Sequence, residues 1–160
     1  MDLKTSDLYD SQGESIKVAD SNSFNSYGMS KRFNGIIVTV KCFEDNPLVK
    51  KTLEESGSGM VLVVDGGASM KCALLGDMLG EIAVKNNWNG IIINGCIRDS
   101  AELNKLDIGV KALGTNPRKS GKTGNGEVNI PVEFAGIVFT PGEYVYCDED
   151  GIVVSESNLT

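Results

Sequence analysis

Two short stretches carry the residues best suited to chemistry: Gly76-Asp77-Met78-Leu79 and Arg98-Asp99. If a helix starts at Gly76, its first backbone N–H groups lack intrahelical acceptors and carry partial positive charge, which suits a carboxylate or phosphate. Gly76 would let such a ligand approach the backbone closely. Arg98 can hold a carboxylate through two parallel hydrogen bonds, and Asp99 can ligate a hard metal ion. Each stretch also has a plainer reading: Asp77 as a helix cap, Arg98-Asp99 as a surface ion pair. Taken together they say more. Asp77 is followed by residues 78–97, a gap of twenty, and then by Arg98-Asp99. Both stretches come after segments that read as consecutive strands, and parallel neighbours would bring them to one sheet edge. A helix N-terminus, an arginine and two carboxylates around one crevice would suit a small keto acid chelating a divalent cation. That ion would polarise the keto oxygen, so no Schiff-base lysine is needed.

The chain contains no histidine. A Ser-His-Asp triad, a Cys-His pair and an HExxH zinc site are therefore excluded, and acid–base work falls to carboxylates, Lys, Arg, Tyr or water. Carboxylate and water ligands favour Mg2+ or Mn2+ over zinc. The cysteines, Cys42, Cys72, Cys96 and Cys147, are too widely spaced for a CxxC zinc site, and Cys72 and Cys96, among apolar neighbours, read as small buried hydrophobes. Gly66-Gly67 lacks the glycine pattern of a nucleotide-binding turn, which argues against a methyltransferase.

A length of 160 residues with 41% hydrophobic content fits one domain, 1–160, around one sizeable core. No apolar run approaches the roughly 20 residues that cross a bilayer. Residues 1–10 lack the apolar centre of a secretory leader. The expectation is a soluble, cytoplasmic protein with no membrane contact. A net charge of −7 argues against direct nucleic-acid binding and would suit a basic protein partner. The one basic stretch, Arg118 to Lys122, reads as a solvated loop.

The elements that must position the two motifs follow from patterning. Residues 1–32 are polar, with Ser6-Asp7 and Ser11 as candidate caps of short helical turns. Residues 36–40 are a β-branched strand, and Asn46-Pro47 opens a helix with Leu48, Val49 and Leu53 on its apolar stripe. Residues 60–65 and 91–93 are continuous apolar runs, read as strands buried on both faces. Between them a helix spans about 77–86, with Leu79, Ile82 and Ala83 on one face. Asn94 to Ile97 reads as a glycine turn, and Glu102, Leu103 and Leu106 as a further short helix before residues 108–110. A glycine- and lysine-rich loop, 114–126, precedes short strands over 128–154. The alternation gives an α/β fold with mixed sheets and flanking helices.

Several segments together resemble the RraA family, which includes regulators of ribonuclease E and metal-dependent (class II) aldolases of 4-hydroxy-4-methyl-2-oxoglutarate. They are residues 63–67, 75–79, 95–99, 106–109, 141–143 and 148–151, with 40–46 nearer the start. The resemblance implies a swivelling β/β/α-type single domain and a ring-shaped homotrimer with active sites between subunits. The spacing from Asp77 to Arg98-Asp99 is similar to that marking the aldolase branch. By this resemblance Asp99 is the metal ligand and Arg98 binds the keto acid. Met78 and Leu79 offer backbone N–H groups to its carboxylate, Gly76 shapes the approach, and Asp77 assists proton transfer. Glu102 would either orient water near the metal or be a solvated first-turn residue. The implied activity is a lyase giving two pyruvates, with oxaloacetate decarboxylation beside it. Chain length and residues 41–46 look closer to the regulator branch, which implies instead a non-catalytic inhibitor of a ribonuclease E-type partner. Aldolase-branch members carry a longer C-terminal part that donates an acidic group to the neighbouring site.

Overall fold

The computed structural model describes residues 3–160. Along the chain, α1 (Thr5–Gln12) precedes β1 (Lys17–Val18), β2 (Asn25–Tyr27), β3 (Phe33–Lys41), α2 (Pro47–Leu53) and β4 (Met60–Asp65). Then come β5 (Ala73–Leu75), α3 (Asp77–Lys85), β6 (Gly90–Ile97), α4 (Ser100–Leu103) and β7 (Gly109–Thr115). The last strands are β8 (Glu127–Val128), β9 (Val132–Phe134), β10 (Ile137–Phe139), β11 (Tyr144–Cys147) and β12 (Ile152–Ser155). The large sheet runs β1-β12-β11-β3-β4-β6-β7-β2, with β5 beside β6 and β8 beside β3, while β9 and β10 form a separate hairpin. This is the expected mixed α/β architecture with flanking helices.

The two apolar runs lie at the centre of the sheet. Strands β3, β4, β6 and β7 are mutually parallel, so their C-terminal ends share one edge. Side chains alternate across β4 and β6. Leu62, Val64, Ile91 and Ile93 pack with Val49, Leu53, Ala83 and Leu103 from the helices. Val61, Val63 and Ile92 pack on the other face with Phe134, Phe139, Val145 and Ile152. Burial on both faces is why these strands read as unbroken apolar runs rather than as alternation. Trp88 closes the helical face, its indole N–H donating to the carbonyls of Leu53 and Glu55 (3.2 and 3.1 Å) at the end of α2.

Three local expectations change. Ser6-Asp7 and Ser11 cap nothing: they lie inside α1, and the Ser11 hydroxyl donates back to the Leu8 carbonyl. The N-terminus of α1 is satisfied from a distance, since the Thr5 N–H and hydroxyl both donate to the Asp148 carboxylate at 2.8 Å. Asn94 to Ile97 is not a turn but the second half of β6, with a break in register against β7 between Ile93 and Cys96. Such a break around Gly95 suits a strand that bends without ending. The last short helix stops at Leu103, and Leu106 packs on the core from the turn beyond it.

Candidate active site

The strand preceding Gly76 is β5, not β4. Strand β4 pairs with the first half of β6, up to Asn94, and β5 takes over beside its second half, with Ala73 opposite Cys96 and Leu75 opposite Ile97. The next rung is the Arg98 N–H donating to the Leu75 carbonyl (2.9 Å). Gly76-Asp77 and Arg98-Asp99 therefore leave adjacent parallel strands side by side. The Asp77 N–H donates to Oδ2 of Asp99 (3.2 Å), closing the gap between residues 22 apart.

Gly76 is the N-cap of α3 and has extended backbone. Its role is space: a Cβ there would lie 2.7 Å from Asp99 Oδ2 and 3.3 Å from Arg98 Cγ. Asp77 is the first helical residue and its side chain makes no capping bond, so the cap reading does not hold. The first intrahelical bond from this end is Gly80 N–H to the Gly76 carbonyl (2.9 Å), so the N–H groups of Met78 and Leu79 precede it and remain for a ligand. The surface-ion-pair reading also fails. Arg98 donates to the Pro117 carbonyl (3.3 Å), and the ion pairs among the described residues are Arg32–Glu149 and Lys105–Glu102. Asp99 adopts the left-handed conformation (φ 55°, ψ 42°) as it starts α4. Aspartate tolerates this conformation better than most residues, and strain of this kind concentrates at functional sites.

Gly76, Asp77, Met78, Leu79, Arg98 and Asp99 all line one crevice of about 410 Å3. Ala73, Leu75 and Ile82 add apolar wall, and further walls come from residues not expected at the site: Asn46, Pro47 and Lys50 at the start of α2, and Lys119, Ser120 and Lys122 from the long loop. The basic stretch is thus not simply a solvated loop. Short bridges tie it to the sheet edge, Ala73 with Lys119 and Asp45 with Gly121. Asp45 fastens it further, accepting from the Thr123 N–H (2.7 Å), the Thr123 hydroxyl (2.9 Å) and the Gly124 N–H (2.9 Å). Burial pushes the Asp45 carboxyl up, but these bonds and the Lys122 charge outweigh it and hold it below the usual carboxylate range. Asn46 is buried, donating to the Leu74 carbonyl (2.9 Å) and accepting from Lys122 Nζ (2.6 Å).

Among the described residues, the crevice walls carry four cations, Lys50, Arg98, Lys119 and Lys122, against two carboxylates, Asp77 and Asp99. A locally positive site in a chain of net charge −7 is suited to an anion. No group of three or more His, Cys, Asp or Glu side chains converges as metal ligands among the described residues. A site offering one or two carboxylates does not fit zinc. It does fit Mg2+ or a similar hard ion, which keeps waters and shares its sphere with substrate oxygens. Glu102 lies outside this lining, exposed and 3.5 Å from Lys105, as a solvated first-turn residue would. All four cysteines are buried and free. Burial pushes the Cys42 thiol up to about 12 and raises the others, so none is a thiolate nucleophile at neutral pH.

The family model for RraA-like proteins, described as Aldolase/RraA, matches residues 5–154. The chain belongs to this family. Among RraA-like relatives, a protein of Aromatoleum aromaticum named "Putative 4-hydroxy-4-methyl-2-oxoglutarate aldolase" is 53% identical over 159 residues, covering 99% of each chain. A solved structure described as the RNA-processing inhibitor RraA from Thermus thermophilis has a TM-score of 0.96 at 40% identity, covering 100% of this chain and 96% of that one. Another, described as an S-adenosylmethionine: 2-dimethylmenaquinone methyltransferase from Geobacillus kaustophilus, has a TM-score of 0.96 at 48% identity over 98% and 97%. One RraA-like fold thus carries three different functional names, and the site has to choose among them.

Proposed function

We propose that the chain is a divalent-metal-dependent lyase that cleaves 4-hydroxy-4-methyl-2-oxoglutarate to two pyruvates and also decarboxylates oxaloacetate. The observation that carries this reading is the contact between the Asp77 N–H and the Asp99 carboxylate, which joins both motifs into one cationic crevice. The names of the half-identical relatives support the same substrate. The methyltransferase name finds less support: the Gly66-Gly67 turn leads into strand β5, not into a helix whose N-terminus could cradle a nucleotide.

The residues divide the work by chemistry. Arg98 and the Met78 and Leu79 N–H groups hold the 2-oxo acid's carboxylate and fix the plane of its keto group. Asp99, with waters, would hold the cation, which when bound supplies Lewis-acid polarisation of the keto oxygen. Asp77 takes the proton of the 4-hydroxyl, directly or through a water. The C3–C4 bond then breaks, its electron pair passing into the enolate of the first pyruvate as the second departs. Return of the proton to C3 completes the balance. Purified protein with Mg2+ or Mn2+ should release pyruvate from either substrate, and EDTA or Asp99→Ala should abolish it. Release that survives both treatments rejects the metal-site assignment.

We further read the chain as a cytoplasmic homotrimer whose crevice is completed at a subunit interface. Exposed Phe43, Met70 and Met78 support this, since they border the same C-terminal edge of the parallel strands. Likeness to an RNA-processing inhibitor favours a second role, binding a ribonuclease E-type protein. That complex should be salt-sensitive and indifferent to Asp99→Ala. No complex at micromolar concentration in low salt rejects it.

A further inference from the structure

Arg98 reaches the crevice from the end of β6 on a long, rotatable side chain, and two-point binding of a carboxylate needs its planar fork held in one orientation. On one side the missing side chain of Gly76 leaves room for it: a Cβ there would lie 3.3 Å from Arg98 Cγ and 3.6 Å from Nε. On the other side Arg98 Nη1 donates to the Pro117 carbonyl (3.3 Å), the guanidinium's one hydrogen bond among the described residues. The aim of the fork therefore depends on where that carbonyl points.

The direction of the Pro117 carbonyl is set by Asn116. The carbonyl and the Arg118 N–H belong to one trans peptide unit, so they point opposite ways and turn together. Asn116 Oδ1 accepts from the Arg118 N–H (2.9 Å), closing an Asx turn around Pro117. Proline inside the turn locks φ and removes one of its freedoms. Fixing the N–H end of the peptide plane aims its carbonyl end at Arg98. Asn116 is itself held at two further points. Its N–H donates to the carbonyl of Ile97, the residue before Arg98 (3.0 Å), and its Nδ2 donates to the Met70 carbonyl (2.8 Å). An amide supplies the acceptor and the donor together. A carboxylate lacks the donor, and a single hydroxyl oxygen would have to serve both partners.

We propose that Asn116 is a positioning residue for the keto-acid reaction: by orienting the Pro117–Arg118 peptide, it sets the plane in which Arg98 meets the substrate carboxylate. The inference rests on the keto-acid reading of Arg98 and adds the residue on which its aim depends. Asn116 is uncharged and lies outside the crevice lining, so it acts through Arg98 and not on the substrate. Without it Arg98 keeps its charge and still attracts the carboxylate, but the fork rotates and the keto group is no longer held in one plane. Loss of Asn116 should therefore lower kcat more than it raises KM.

The test is a double-mutant cycle on kcat and KM for 4-hydroxy-4-methyl-2-oxoglutarate at saturating Mg2+. Asn116→Ala should lower kcat/KM about 10-fold, mostly in kcat. Asn116→Ser keeps an acceptor for the Arg118 N–H and should recover to within about 3-fold of wild type. Arg98→Lys retains a positive charge but has no plane to set, so adding Asn116→Ala to it should change kcat/KM by less than about 2-fold. Asn116 is half-buried just beyond β7 and its side chain bonds only loop backbone, so these variants should fold. An undiminished alanine penalty in the Arg98→Lys background overturns the positioning role, as does a serine variant no better than alanine. An alanine variant within about 2-fold of wild type overturns it too. Wild-type kcat/KM in Arg98→Lys removes the two-point reading of Arg98 and this inference with it, whereas no cleavage by wild type removes the proposed function itself.

Discussion

Two aspartates, each just beyond the end of a strand, sit at opposite edges of the same sheet and have opposite surroundings. Asp148 follows β11, which runs antiparallel to β3, so it lies at the edge away from the crevice. It is buried, and its carboxylate accepts from the Thr5 N–H and hydroxyl and from the N–H groups of Asp150 and Gly151. Its own carbonyl accepts from the buried Lys111 (2.7 Å). Asp99 follows β6 at the crevice edge, exposed, in a left-handed conformation, and accepts one N–H at 3.2 Å. A carboxylate whose lone pairs are filled by the protein stabilises the fold. One left largely unfilled, on left-handed backbone in a cationic crevice, is available to something that is not protein.

The sharpest way to break this contrast is to remove each charge in turn. Asp99→Asn keeps the left-handed preference and an oxygen for the Asp77 N–H but removes the charge. Pyruvate release should fall by about 10^3-fold or more, with thermal stability nearly unchanged. Asp148→Ala should do the reverse. It strands the Thr5 N–H at the head of α1 and should cost about 2–4 kcal/mol in urea unfolding, while kcat per folded molecule holds. Gly76→Ala is a smaller perturbation, since the added methyl meets Asp99 and Arg98 without touching the core. It should lower kcat/KM by about 10–100-fold and alter stability by less than about 1 kcal/mol. The smallest effect concerns acid. Burial pushes the Asp148 carboxyl up, but hydrogen bonds from Thr5, Asp150 and Gly151 win and hold it below its ordinary value. Its contribution is therefore complete above the unfolded carboxylate pKa of about 4 and is lost as pH falls through the lower folded value. The stability gap between wild type and Asp148→Asn should narrow below about pH 4 in acid titrations followed by circular dichroism.

What could be read in advance was local or periodic. The runs at 60–65 and 91–93 announced doubly buried strands, the position of Asn46-Pro47 announced the start of α2, and the strand-following positions of Asp77 and Arg98-Asp99 announced that the two motifs would meet at one sheet edge. What could not be read depended on contacts remote in sequence. Strand β5 is three residues long and owes its existence to pairing with β6. Lys119 and Lys122 line the crevice because Asp45, some 78 residues before Thr123, fastens their loop. The cap of α1 comes from a residue 143 positions away. Asn46 looked like a simple helix-start residue, yet its side chain caps nothing and instead carries Lys122. Propensity and spacing report none of these, because each is decided by pairing between segments distant in sequence.

The most direct test of the central claim is a Mg2+ titration of pyruvate release from 4-hydroxy-4-methyl-2-oxoglutarate, run on wild type and Asp99→Asn together. Wild type should show saturable activation from a metal-stripped baseline near zero, and the variant no activation at any concentration. Equal activation of both proteins, or full activity of stripped wild type, would contradict it.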